Sequence, residues 1–273
     1  MQSENMNIIT NNGVTFLKFK ALDKLDFINH AISTRHGGVS DMNEEIKSMN
    51  LGLSCGDSKE NIVENYKRFL GATGFDVEKA VCSKQTHDLN ILYATEKDYS
   101  KGILKERDYD SIDAIITDKK GLPIIVHFAD CVPVTLIDTK NKAIGSAHCG
   151  WRGTFGKLAE KMLLEMKEKF NTEAKDVISV IGPCICKNCY EVSEELYNDF
   201  VEKFGNNDGT IAKKGKFYLD LPLINKLMLI RLGVPEESIT ISDLCTCCNK
   251  KDLYSHRGLG PNRGILASVI SLI

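Results

Sequence analysis

Apolar residues recur along this chain with two periods, and the switching between them outlines the secondary structure. Alternation of period two, or a short unbroken apolar run, marks strands at 14–19, 31–34, 79–85, 114–116, 124–128, 132–137, 143–147, 177–181, 218–219 and 239–241. Helical spacing appears at Ile62, Tyr66 and Leu70, after Ser58 as N-cap and before Gly71 and Gly74. It returns at Phe155, Leu158, Ala159, Met162, Leu163, Met166 and Phe170, which predicts one helix opening at Arg152-Gly153-Thr154. Two further helices are expected over 193–204 and 221–232, the second stopped by Gly233-Val234-Pro235. The terminal run ILASVISLI reads as a closing strand or short helix. No Pro/Gly/Ser linker, repeat or low-complexity stretch interrupts the series. The expectation is a mixed α/β (α+β) fold: one compact domain over 1–273, with mixed sheets flanked by helices.

Composition narrows the function. A chain of 273 residues, 42% hydrophobic and 26% charged, has ample core for such a domain. A net charge of -2 and the absence of any block of five basic residues argue against nucleic acid as a partner. No stretch is long and apolar enough to predict a membrane span, and the N-terminal MQSENMNIITNN lacks the basic-then-apolar order of a secretory signal. A cytoplasmic protein, monomer or homodimer, is therefore expected. Its ten cysteines are read as thiols or metal ligands before disulfides.

Reactive side chains concentrate in one stretch, from His127, Asp130 and Cys131 to His148, Cys149, Trp151 and Arg152, with Trp151 the only tryptophan. Polar groups at strand ends are costly to order and usually serve a site. His148 at one strand end, Cys131 seventeen positions earlier and His87 at another strand end offer three donors of the kind zinc takes. Three protein ligands leave the fourth tetrahedral position open, which is the catalytic arrangement. Asp130 is carried with this catalytic set, either as a partner of the ligands or as an anchor, since strand neighbours point to opposite faces. A nucleophilic Cys131 or Cys149 activated by histidine remains open from the residues alone.

The motifs Arg35-His36-Gly37-Gly38, Gln85-Thr86-His87, Ala129-Asp130-Cys131, His148-Cys149-Gly150-Trp151-Arg152-Gly153, Cys189-Tyr190-Glu191-Val192 and Ser255-His256-Arg257 occur in the order of a known family. The chain resembles the laccase-domain family, also called multicopper polyphenol oxidoreductases (the YfiH/YlmD/FAMIN group), over nearly its whole length. That resemblance implies a metal, zinc with copper as the alternative, on His87, Cys131 and His148. It implies purine nucleosides and phosphate as partners: phosphorolysis of adenosine, inosine and methylthioadenosine, with adenosine deamination beside it. A peptidoglycan-precursor hydrolase of cysteine type and a copper polyphenol oxidase are the alternatives it carries. A strict multicopper oxidase needs many histidines, often as His-x-His; this chain has six and no such pair. The H-x-E and P-C-x-x-C signatures of the cytidine-type zinc deaminases are absent as well.

For phosphate, Arg152-Gly153-Thr154 at the expected helix start would supply a guanidinium and backbone N–H groups. Arg35, Arg257 and Arg263 are further candidates for lining the pocket, and Trp151 reads as core. The ending departs from the family habit of two consecutive arginines followed by T-G-R, with Gly258 and Pro261-Asn262-Arg263-Gly264 in its place. Six more cysteines fall in two tight groups, Cys184, Cys186, Cys189 and Cys245, Cys247, Cys248. They suffice for a second, structural zinc or an iron–sulfur cluster, or for a thiol-based redox protein, but their spacing does not dictate one tetrahedral set.

Overall fold

The structure, a computed structural model, describes residues 1–53, 55–206 and 209–273. It opens with a hairpin of β1 (Met6–Asn11) and β2 (Val14–Phe19). Asn12 and Gly13 between them both have positive φ, the turn whose twist suits a two-residue hairpin. β3 (Ile28–Ser33), α1 (Lys59–Thr73), β4 (Val81–Cys82), β5 (Asn90–Tyr93) and β6 (Ile112–Thr117) follow. Then come β7 (Ile124–Phe128), β8 (Val132–Asp138), β9 (Ala143–Cys149), α2 (Trp151–Phe155) and α3 (Leu158–Phe170). The remainder comprises β10 (Val177–Ile181), β11 (Glu191–Val192), α4 (Glu194–Phe204), β12 (Thr210–Lys213), β13 (Lys216–Leu219), α5 (Leu221–Arg231), β14 (Ile239–Ile241), α6 (His256–Leu259) and β15 (Leu266–Leu272).

Among the described residues these strands form two mixed six-stranded sheets, ordered β1-β2-β3-β15-β7-β4 and β14-β10-β8-β9-β6-β5, and a small sheet β11-β13-β12. Strand alternation explains how they stack. In β7, Ile124 and Phe128 join an apolar cluster with Ile115, Ile137, Ile144 and Val180 of the second sheet, while Ile125 packs with Phe69 and Leu70 of α1. In β9, Ile144 faces the first sheet, and Ala143 and Ala147 face Met162 and Met166 of α3. The result is four layers, α1, sheet, sheet, then α3 with α5, with every inner strand buried on both faces. That is why those strands read as unbroken apolar runs.

Two local readings of the sequence are corrected. The expected strand at 79–85 is ordered as β4 for two residues only, because the chain leaves β7 there. Ser83 N still donates to Ile125 O (3.0 Å), but the Lys84 carbonyl already accepts from Ile112 N (2.9 Å) of the other sheet. The helix expected from Thr154 is two helices. Lys157 has φ +60°, and a Cβ on Gly156 would stand 2.5 Å from the Leu89 side chain, so the chain turns there to clear β5. The terminal run is a strand, β15, in the middle of the first sheet. No helix among the described residues is long and apolar enough to cross a membrane.

Candidate active site

Two crossings between the sheets and the end of one strand meet at one end of the sandwich. Residues 83–88 pass from β4 towards β5, residues 129–131 pass from β7 to β8, and β9 ends beside them. They bring the donor atoms of His87, Cys131 and His148 within 4.8 Å of one another. His87 is exposed, Cys131 is half-buried and His148 is buried, so the group opens outward from a fixed floor. The two imidazole centroids lie 4.9 Å apart.

Asp113 fixes this arrangement, and the motif reading missed it. Fully buried on β6 and cross-strand from His148 on β9, it accepts from His148 Nδ1 at 2.9 Å. It also accepts from three successive backbone N–H groups, those of Thr86 (3.0 Å), His87 (3.1 Å) and Asp88 (3.1 Å). One carboxylate thus sets the ring of one ligand and the backbone of another, and leaves His148 Nε2 directed to the donor cluster. The sequence signal was a lone charge in the apolar run Ile112-Asp113-Ala114-Ile115.

The electrostatics follow from this packing. Burial opposes charge on His148, but the Cys131 sulfur and Asp113 outweigh it and raise its pKa to about 9. Burial, then the neighbouring His148, lowers the pKa of His87, with Asp113 acting in the opposite sense and Arg152 reinforcing the fall. A site that gathers proton-binding donors around a free volume suits a cation. Gly150 supplies that volume: a Cβ there would sit 2.9 Å from Cys131 Sγ and 3.2 Å from His87 Nδ1. Two imidazoles and a thiol fit zinc, with room for a further ligand.

The three donors lie on a cavity of about 740 Å³, within the range of small-molecule sites. His127 also faces it, its Nε2 bonded to the Tyr66 hydroxyl, which donates to Leu51 O and accepts from Cys82 Sγ. Burial, then Arg107 and His148, holds the pKa of His127 down to about 3, so it stays neutral. Among the described residues, Lys59, Lys84, Lys105, Arg107 and Arg263 line the cavity against a single acid, Glu106.

The other expected site residues fall elsewhere. Asp130, with φ +87°, turns away from the donors; its carboxylate accepts from Thr246 Oγ1 (2.6 Å) and Arg257 N (2.6 Å), so it anchors the corner and touches no ligand. Thr154 is fully buried inside α2, donating to Cys149 O (3.2 Å) and accepting from Asn225 Nδ2 (2.9 Å), and cannot cap the long helix. Arg152 stacks over Trp151, 4.2 Å from the ring centroid, near His87 but outside the cavity lining. Arg35 is spent on the carbonyls of Lys250 and Glu44 and on the Tyr254 face. Arg257 donates to the carbonyls of Cys189 (3.0 Å) and Glu191 (3.1 Å). Gln85 clips β7 by pairing with both backbone groups of His127.

Comparison with known proteins places this geometry. The sequence model of a family described as "Multi-copper polyphenol oxidoreductase laccase" matches residues 29–273. A purine nucleoside phosphorylase of Bacteroides thetaiotaomicron is 31% identical over 261 residues, 94% of this chain and 96% of that protein. Adenosine deaminase RL5 of an unknown prokaryotic organism is 31% identical over 89% of this chain and 95% of its own. The crystal structure of the YfiH protein of Bacillus licheniformis superposes with a TM-score of 0.90 at 26% identity, covering 99% of this chain and 100% of that one.

Proposed function

The chain belongs to the multi-copper polyphenol oxidoreductase laccase family, and from that premise we propose that it is a zinc-dependent purine nucleoside phosphorylase. It would split adenosine, inosine or methylthioadenosine with phosphate into the free base and the corresponding ribose 1-phosphate. The observation that carries this reading is the juxtaposition of an open His87, Cys131, His148 donor set with a cavity whose charged lining is five cations to one acid. The names of relatives about 30% identical over most of the chain agree with it.

In phosphorolysis a phosphate oxygen bonds to the ribose C1′ as the glycosidic C–N bond breaks and its electron pair leaves on the purine. Arg107, Arg263 and Lys105 would hold the phosphate dianion. His127, neutral, and Phe128 would border the base. A zinc ion on His87, Cys131 and His148 would supply Lewis acidity for charge developing on the leaving base. Asp113 keeps both histidines in place for it. Copper at the same donors is disfavoured for oxidase chemistry. Among the described residues, the groups of three or more donors are this one and a set of four cysteines, far short of the histidine-rich sites laccase chemistry needs.

Adenosine deamination is the second activity, favoured by the similarity to the deaminase RL5. A cysteine hydrolase has one observation for it, namely Cys131 beside His148 with Asp113 behind. His87 has no task in that arrangement, which favours the metal. The test is incubation of the purified protein with adenosine or inosine, with and without phosphate. Phosphate-dependent appearance of adenine or hypoxanthine together with ribose 1-phosphate is expected. Base release indifferent to phosphate, or no turnover by zinc-loaded protein, would overturn the reading.

A further inference from the structure

On the far side of Asp130 from the donor set, the two cysteine-rich loops come together. The loop after β10 and the loop after β14 lie side by side, their backbones paired in an isolated parallel β-bridge at Cys184 and Cys245, with Thr246 N donating to Cys184 O at 3.0 Å. Of their six cysteines, four converge: the sulfurs of Cys186, Cys189, Cys245 and Cys248 all lie within 4.8 Å of one another. Each loop contributes a C-x-x-C pair, Cys186-Lys187-Asn188-Cys189 and Cys245-Thr246-Cys247-Cys248. Cys184 turns instead into the apolar core beneath α3 and α5, and Cys247 is outside the group.

We propose that these four thiolates bind a structural zinc ion, a second metal site separate from the open donor set of His87, Cys131 and His148. Four sulfurs at Zn–S bonds of about 2.3 Å stand roughly 3.8 Å apart at the corners of a tetrahedron. The pair measured here, Cys189 Sγ to Cys248 Sγ, is 3.5 Å. The backbone is arranged as it is around thiolates: Cys245 Sγ accepts from Cys186 N at 3.3 Å and from Cys248 N at 3.4 Å, one donor from each loop. A zinc with four thiolates carries two net negative charges. The Arg257 guanidinium, which donates to Cys189 O at 3.0 Å, is a cation beside the cluster that would offset part of that charge. With four protein ligands the site is closed, which is the structural and not the catalytic coordination.

The metal would act at a distance on the other site. The first loop places Ile185 N on the Asp130 carbonyl at 3.0 Å, and the second places Thr246 Oγ1 on the Asp130 carboxylate at 2.6 Å. Each loop therefore presents one donor to the residue that precedes Cys131. Joining the loops through zinc would clamp the left-handed corner at Asp130.

Metal analysis of the intact protein decides this without recourse to nucleoside turnover. Two zinc ions per chain are expected, one of which is lost in Cys189→Ser and in Cys248→Ser and the other in His87→Ala. X-ray absorption at the zinc edge of His87→Ala would then show a shell of sulfur alone. Should the serine variants fail to fold, the wild-type protein answers alone: stoichiometric thiol titration must release two zinc ions, and mass spectrometry must show ten reduced cysteines. Zinc content unchanged in both serine variants, a single zinc per chain that is lost in His87→Ala, iron in place of zinc, or a mass four hydrogens short from two disulfides would each overturn the assignment. Failure of the phosphorolysis assay with both zinc ions present would sink only the proposed activity.

Discussion

Replacing Asp113 with Asn tests whether the open donor set is a built metal site. The two oxygens of Asp113 divide four donors. Oδ1 takes His148 Nδ1 and His87 N, and Oδ2 takes Thr86 N and Asp88 N. An amide keeps one oxygen and turns an NH2 on the other pair, so whichever way it flips two N–H donors lose their acceptor, either the His148 ring and His87 N or the part-buried Thr86 N and Asp88 N. At ~0.5–1.5 kcal/mol for each hydrogen bond lost, the variant should lose ~1–3 kcal/mol of stability. A domain has only ~5–15 kcal/mol in total. If the oxygen stays on the histidines, the 86–88 backbone loosens and His87 drifts; if it flips, His148 loses the group that orients its ring. Either way zinc affinity should fall by ~10–100-fold. Urea unfolding with and without a chelator measures the first quantity, and competition with a chromophoric chelator measures the second. Asp113→Asn with stability within ~0.5 kcal/mol of the parent and unchanged zinc affinity would refute the role assigned to this carboxylate.

Gly150→Ala should bind zinc at least about tenfold more weakly at the open site while the apoprotein unfolds almost as the parent does, because the new methyl meets Cys131 Sγ and His87 Nδ1 and little else; isothermal titration of the apoprotein would show it, and undiminished affinity would mean the three donors are not ligands. Arg107→Ala and Arg263→Ala should each raise the KM for phosphate more than that for nucleoside, whereas Thr154→Ala should cost ~1–2 kcal/mol of stability and leave the phosphate KM alone, since its hydroxyl serves Cys149 and Asn225. His30 accepts from Phe19 N at 2.8 Å, and burial, then Lys18, lowers its pKa from 6.5 to about 3. A depressed pKa makes the unfolded chain bind the extra proton below 6.5, so the stability from neutral His30 is complete above that pH and is lost as pH falls towards 3, by ~2 kcal/mol at pH 5. His30→Gln keeps an acceptor for Phe19 and should flatten that acid limb of the stability curve; an unchanged slope would show that His30 titrates freely.

Most inner strands, most helices and the three donors were legible in the sequence because each is a local property. Buried strands announce themselves as apolar runs, Ser58 does bond Asn61 N as an N-cap, and His87, Cys131 and His148 carry the chemistry in their own side chains. The Asn12-Gly13 hairpin and the two C-x-x-C pairs were equally present in the sequence. The hairpin needed its turn residues weighed above the polar flanks, and the cysteine pairs stood among two neighbours that match no single set. What only the tertiary structure decided is which polar groups share a space. Asp113 and His148 are thirty-five positions apart and meet because β6 and β9 pair in one register. Asp130 sits beside Cys131 in sequence yet belongs to another cluster, because the left-handed corner sends the two side chains apart. The same holds for the cations: Arg152 and Arg257 lie in recognisable motifs but are engaged by Trp151 and by backbone carbonyls, while Arg263, the one of the expected arginines to do so, and Arg107, in an unremarkable stretch, reach the cavity. A motif fixes a residue's chemistry, and strand register and the direction of each corner fix what that chemistry faces.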